Sequence, residues 1–151
     1  MPAPAHPRST ALLLLLVGLL FQGLSGLWGG GALVADPTGA LLQMPLSLLD
    51  DSPFSDYFVP GLILLTVLGV GPLLVALGLW RRRPWAWYGA VAVGGALVVW
   101  IGVEVWMIGY HADPPLQLIY GTLGVLLLVL STRPSVRRAL SADEPSRPGP
   151  G

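Results

Sequence analysis

Apolar residues fall into four long runs along this chain, at residues 11–34, 60–80, 84–103 and 115–132, and none of these runs contains a charged residue. Just past the third run stands Glu104, after which apolar and aromatic residues continue to Tyr110. A helix needs about 20 predominantly apolar residues to cross the hydrocarbon core of a bilayer. The pattern therefore predicts an all-α membrane protein. It is a four-transmembrane-helix bundle with spans near 11–34, 60–80, 85–110 and 115–132.

The punctuation between the runs sets the connectivity. Arg81, Arg82 and Arg83 close the second run and Pro84 opens the third. That turn is so short that the two helices must be antiparallel neighbours. His111-Ala112-Asp113-Pro114 makes the next turn, also short. Residues 36–59 form a longer and greasier connection, with Leu41, Leu42, Met44, Leu46, Leu48 and Leu49 interrupted by Pro45. Asp36-Pro37 and Ser52-Pro53 both resemble a helix cap followed by Pro at the first helical position. A segment this apolar is expected to be a semi-buried outer loop, as a lid, an interfacial helix or a re-entrant segment shielded by protein.

Arg8 ahead of the Leu-rich residues 11–20 also fits the start of a signal peptide. The apolar run, however, outlasts the usual signal core of about 7–15 residues and no A-x-A pattern follows, so it is assigned as an uncleaved first span. Gly26 and Gly30 make a G-x-x-x-G, a spacing that lets helices approach closely. Gly29 and Gly31 beside them favour a simpler expectation, a Gly-rich frayed helix end. Pro72, near Gly69 and Gly71, should kink the second span around residues 68–72 as a packing adjustment.

Composition strengthens the membrane assignment. The chain has 151 residues, 54% hydrophobic and 11% charged, and its mean hydropathy is +0.71. A soluble domain carries about 25% charged residues. With no Cys, disulfides, thiolate metal sites and thiol redox chemistry are excluded. The domain plan is a disordered N-terminal tail at 1–10, a transmembrane domain at 11–132 and a cytoplasmic C-terminal tail at 133–151, rich in Pro, Ser and charge and expected to be disordered at its end.

The charges add orientation. All basic residues are Arg, and all eight fall on one side of the predicted membrane: Arg8, Arg81, Arg82, Arg83, Arg133, Arg137, Arg138 and Arg147. Asp36, Asp50, Asp51, Asp56 and Asp113 occupy the other. The positive-inside rule then places both termini in the cytoplasm of a multi-pass protein of the plasma membrane, the cell inner membrane. Ala35-Asp36-Pro37 and Ala112-Asp113-Pro114 also hint at two repeated hairpins.

Glu104 is the main candidate for chemistry, because an ionisable group at membrane depth is costly and marks a functional site by default. On a helix, Ala86, Ala90, Val93, Leu97, Trp100, Glu104, Ile108 and His111 share one face, at about 100° per residue. Gly95, Gly102 and Gly109 lie on the opposite face. The expectation is that these glycines pack the helix into the bundle while Trp100, Glu104 and His111 face a site. Asp113 and Gln117 join it as candidate ligand-binding residues near the outer mouth, in a vestibule under residues 36–59.

Three functions follow from this placement. Glu104 is a hydrogen-bonded packing residue of a structural or accessory protein, held through Gln22, Ser25 or Gln117. Alternatively, the outer vestibule binds a lipid-like ligand, or performs acid–base chemistry on it. In the third, Glu104 is the carboxylate of a proton-coupled transporter that works as a homo-oligomer or with a partner membrane protein. Membrane lipids are expected partners in each case. No cofactor is implied, His111 and the scattered carboxylates lack metal-site spacing, and no phosphate loop, nucleophile elbow or nucleic-acid motif is present. Catalytic residues stay unassigned.

Residues 52–61 (SPFSDYFVPG), the Gly-interrupted second span and the Trp- and Glu-bearing third resemble uncharacterised small four-helix integral membrane proteins of bacteria and archaea. That resemblance implies the fold and no particular activity. Small four-helix multidrug exporters are similar in size, but carry their essential Glu in the first helix, where this chain has no carboxylate. Sterol-isomerase-like four-helix proteins, which bury acidic groups around an amphiphile, are similar in architecture only.

Overall fold

A computed structural model describes residues 9–141, and all the regular structure in them is helical. The tails expected at 1–10 and 133–151 fall partly outside these residues, at 1–8 and 142–151. Helix α1 (Thr10–Ala35) starts at Ser9, whose hydroxyl accepts the Leu12 N–H at 3.2 Å, the usual side-chain cap. It runs unbroken through its glycines. Helix α2 (Phe58–Leu65) passes through a π-helical turn (Thr66–Val70) into α3 (Gly71–Trp80). Next come α4 (Trp85–Ile108), α5 (Leu116–Ser131) and α6 (Pro134–Ser141).

Three spans are long and apolar enough to cross a membrane: α1, α2 with α3, and α4. A fourth is present if α5 and α6 form one broken span, bent by 57° at their junction. Helix α1 packs along α2 and α3, α3 against α4, α4 along α5, and α5 back onto α1. The neighbours α3 and α4, and α4 and α5, are antiparallel because the turns at Arg81–Pro84 and Gly109–Pro115 are only a few residues long.

The proline break in the second span has a defined geometry. Pro72 has no N–H, so the Leu68 carbonyl four residues earlier loses its helical donor. The π turn absorbs the displaced carbonyls, with Gly71 N–H donating to Thr66 O. Gln22 of α1 then donates its side-chain amide to Leu68 O at 3.1 Å, replacing the missing bond from a neighbouring helix. The kink expected at 68–72 is thus a turn stitched to α1.

Gly26 and Gly30 share the face of α1 that carries Gln22, and this is not a frayed end. A Cβ on Gly26 would collide with the Leu68 carbonyl, and one on Gly30 with the Leu65 backbone nitrogen. Gly69 makes the same close approach from the other side, where a Cβ would stand 2.9 Å from Leu27 N. The expected roles on α4 are reversed. A Cβ on Gly95, Gly102 or Gly109 meets nothing within 4 Å. It is the opposite face, with Ala86, Ala90, Val93 and Leu97 buried, that seats α4 in the bundle. Gly94 provides the close contact there, against Leu128. Gly109 is outside the helix: φ 75° and ψ 173° make it the residue that ends α4.

The main core fills the arginine-bearing half, around Leu12, Leu15, Leu19, Leu79, Leu97 and Leu127. Residues 134–141, expected to be tail, fold as α6 and close this end, with Val136 and Leu140 buried. Pro134 at the first helical position and the i, i+4 pair of apolar residues explain why the segment is helical and amphipathic. A second, smaller core sits at the other end, where Leu33, Leu49 and Tyr57 pack with Leu42, Met44, Phe54 and Leu64.

Candidate functional site

Residues 36–59 are folded on Tyr57. Its N–H donates to Pro37 O at 2.9 Å and its hydroxyl to Pro45 O at 2.9 Å. Burial pushes the Tyr57 phenol above its ordinary value. Asp36 does not start a helix. It ends α1, and its carboxylate accepts from the Thr38 hydroxyl at 2.6 Å and from the Leu41 N–H at 2.9 Å. The Thr38 hydroxyl first, then the Leu41 amide, hold this carboxyl below the usual carboxylate range. Asp56 rather than Ser52 accepts from the first residue of α2, Phe58 N–H, at 2.9 Å. The loop also reaches α4 through the short turn at Leu46–Leu49. Its packed interior, however, lies against Leu33 of α1 and Leu64 of α2.

The structure brings Glu104, His111 and Gln117 together where α4 turns into α5. Gln117 is buried, 5% exposed, and works as a clamp. Its Oε1 accepts the His111 N–H at 2.8 Å and its Nε2 donates to Gly109 O at 3.0 Å. Glu104 is half-buried, with the Gln117 amide and the His111 ring as its polar neighbours. The second hydrogen on Nε2 is the one available to this carboxyl. The His111 ring is exposed, and its Nδ1 lies 3.2 Å from Gly109 O.

The other expected members stand apart. Trp100 packs against the main core as a partly buried side chain. Asp113 is exposed in the turn and has no hydrogen bond among the described residues, unlike Asp36 in the corresponding turn. Gln22 serves the proline break, and Ser25 donates to the Phe21 carbonyl of its own helix at 2.8 Å. Of the three partners expected for Glu104, only Gln117 is beside it.

A groove of about 440 Å³ opens next to this cluster, between α4 and α5. Val105, Leu118, Gly121 and Val125 give it apolar walls, and Tyr110 and Gln117 its polar rim. The loop at 36–59 contributes no wall to it. Among the described residues no group of three His, Asp or Glu stands close enough together to hold a metal ion.

Sequence reasoning missed the Gln22–Leu68 stitch and a contact at the other end. There, Trp87 donates its ring N–H to Ser131 O at 2.7 Å while the Arg137 guanidinium lies 4.8 Å over its ring. The first was signalled by Pro72, which frees a carbonyl, and by the i, i+4, i+8 spacing of Gln22, Gly26 and Gly30. The second had no local signal, because its partners lie on α4, α5 and α6. No protein-family model, curated protein or solved structure matches this chain.

Proposed function

We propose that this chain is a four-span integral membrane protein of structural or accessory function. Both termini lie in the cytoplasm, and Glu104 is a packing residue. The observation that carries this is the engagement of Gln117. Its side chain closes the α4–α5 turn through His111 and Gly109 and leaves one amide hydrogen for Glu104. The carboxyl thus lies beside the turn that Gln117 closes. The segregation of Arg from Asp supports the orientation.

Unfolding in mild detergent tests this role for Glu104. Glu104→Gln keeps an acceptor for the Gln117 amide and should leave stability within about 0.5 kcal/mol, whereas Glu104→Ala should cost about 1 kcal/mol. Equal stability of both variants, with loss of a host phenotype in both, would remove the packing role.

The α4–α5 groove favours a second function, binding of an amphiphile with its apolar part against Val105, Leu118 and Val125 and its polar end at Tyr110 and Gln117. Mass spectrometry of the purified protein tests it. An amphiphile retained by the native chain and lost from Gly121→Leu would support it, and equal retention by both would exclude the groove.

A further inference from the structure

The arginine-bearing end contains a basic pocket that Glu104 and its turn do not touch. It has a volume of about 560 Å³ and is lined by Arg81, Arg82, Arg83, Trp87, Arg137 and Leu140, with Pro84 and Ser141 at its edge. Two elements far apart in sequence build it: the turn between α3 and α4, and α6. The described carboxyl groups, Glu104 and five Asp, all belong to the opposite end of the helices.

The walls are held by the protein's own packing and hydrogen bonds. Val136 and Leu140 are buried in the core and hold α6 in place. The Trp87 ring is anchored by its bond to Ser131 O, and Arg137 stacks on that ring. The α3–α4 turn is tied by Arg82 N–H to Leu79 O at 3.0 Å and Arg83 N–H to Gly78 O at 2.8 Å. These are the two bonds of a Schellman motif, whose left-handed position usually belongs to Gly. Here that position is Arg82, at φ 53°. The chain uses 20 Gly elsewhere, yet places Arg where the backbone favours Gly. Positive charge on this side of the membrane needs no particular position, so topology does not account for Arg at this one. Gln43 adopts the same conformation, at φ 57°, so it is the place of Arg82 in the pocket lining, rather than its backbone alone, that points to a use for the side chain.

We propose that this pocket binds the phosphate headgroup of an anionic phospholipid. Guanidinium groups match phosphate oxygens in paired, charge-assisted hydrogen bonds. Basic pockets beside transmembrane helices on the cytoplasmic side suit anionic headgroups. Exposed Trp80 and Trp85 flank the Arg turn and set the depth, since Trp gathers at headgroup level. The proposal needs the chain to lie in a membrane but is independent of the role of Glu104.

The test is thermal unfolding of the full chain in neutral detergent, titrated with phosphatidylglycerol, phosphatidylcholine or inorganic phosphate. Phosphatidylglycerol should raise the Tm saturably, by about 3–6 °C, and the other two should not. R137Q should remove about half of that shift or more, while R138Q, equal in charge change but outside the lining, should leave it intact. R82G should raise the Tm without lipid, because Gly relaxes the turn, and shrink the lipid shift. Equal shifts with phosphatidylcholine, or equal losses in R137Q and R138Q, would overturn the pocket in favour of diffuse attraction. A full shift from inorganic phosphate would reassign it to a soluble phosphate compound and overturn the lipid assignment. Asp143 and Glu144 lie outside the described residues, and a lipid shift seen only in D143N/E144Q would give the pocket to the chain's own C-terminal segment, again overturning it.

Discussion

The molecule is made of two helical hairpins that solve the same packing problem differently. In the first, α1 meets α2 and α3 backbone to backbone. Gly26 and Gly30 allow the approach, and Gln22 bonds a carbonyl freed by Pro72. Its outer connection folds back on Tyr57 and seals that end. In the second, α4 and α5 approach most closely where Gly94 faces Leu128 and Gly124 faces Val98, and contact continues to Gly121, whose added Cβ would stand 3.5 Å from Ile101. Beyond that point the groove opens, and the end of α4 away from the arginines is left uncovered, with Trp106 81% exposed. Interiors of membrane proteins gain little from hiding apolar side chains from lipid, so close packing and hydrogen bonds decide where helices hold. The first hairpin has both along its length. The second has close packing around Gly94 and Gly124 and the Gln117 clamp at its turn, and a surface groove runs beside Gly121 and Val125.

Glycine substitutions break this comparison most directly. Gly26→Leu should cost about 3 kcal/mol or prevent folding, since the clash is with backbone that cannot move aside, whereas Gly102→Leu should fall within about 0.5 kcal/mol of the native chain. Unfolding of both in mild detergent checks it, and comparable losses at the two sites would show that the hairpins pack alike.

Gln22→Met should cost about 1 kcal/mol, because Leu68 O loses the Gln22 amide donor at the proline break. The π turn should report this through faster amide exchange at Gly69 and Gly71, and unchanged exchange there would mean the stitch is not needed. Tyr57→Phe should cost about 0.5–1 kcal/mol by losing the bond to Pro45 O, with the damage confined to residues 36–57. If α4 responds as well, the contact of Leu46–Leu49 with α4 carries the change into the second hairpin. The Tyr57 phenol sets a base limit too: its folded value is raised above 10.0, so its contribution is complete below pH 10 and is lost as pH rises through the higher folded value.

The smallest effect belongs to Asp36. Its carboxyl is lowered from 3.8, so the turn it closes should be intact above that value and loosen as pH falls through the lower folded value. Amide exchange at Leu41 reads this, and Asp36→Asn should remove the pH dependence. Asp113 has no such bonds, so Asp113→Asn should change nothing in the turn before α5.

Much of the helical frame was legible in the chain alone. The apolar runs are nearly as long as the helices they form, because a bilayer-length helix must satisfy every backbone group within itself and carry few charges. The break at Pro72 was legible for the same local reason: a missing N–H has consequences four residues away whatever the fold. The short turns at Arg81–Arg83 and His111–Pro114 fixed which helices are antiparallel. Helix α6 was missed although Pro134, Val136 and Leu140 announce it, because the density of Pro, Ser and charge around it reads as a solvated tail.

Which faces meet was decided only by the tertiary structure. Helix α4 is apolar on every side, so periodicity carries no inward direction, and Gly95 and Gly102 turned outward while Ala86, Ala90 and Gly94 turned in. The site divided for the same reason. Sequence spacing put Trp100, Glu104 and His111 on one line, but Gln117 from the next helix determined which of them stand together. Local residues dictate where a helix begins, bends and ends, since those events depend on bonds within a turn or two. Partners such as Gln22 with Leu68, or Arg137 with Trp87, depend on which helices are brought side by side, and that is settled by the packing of the whole bundle.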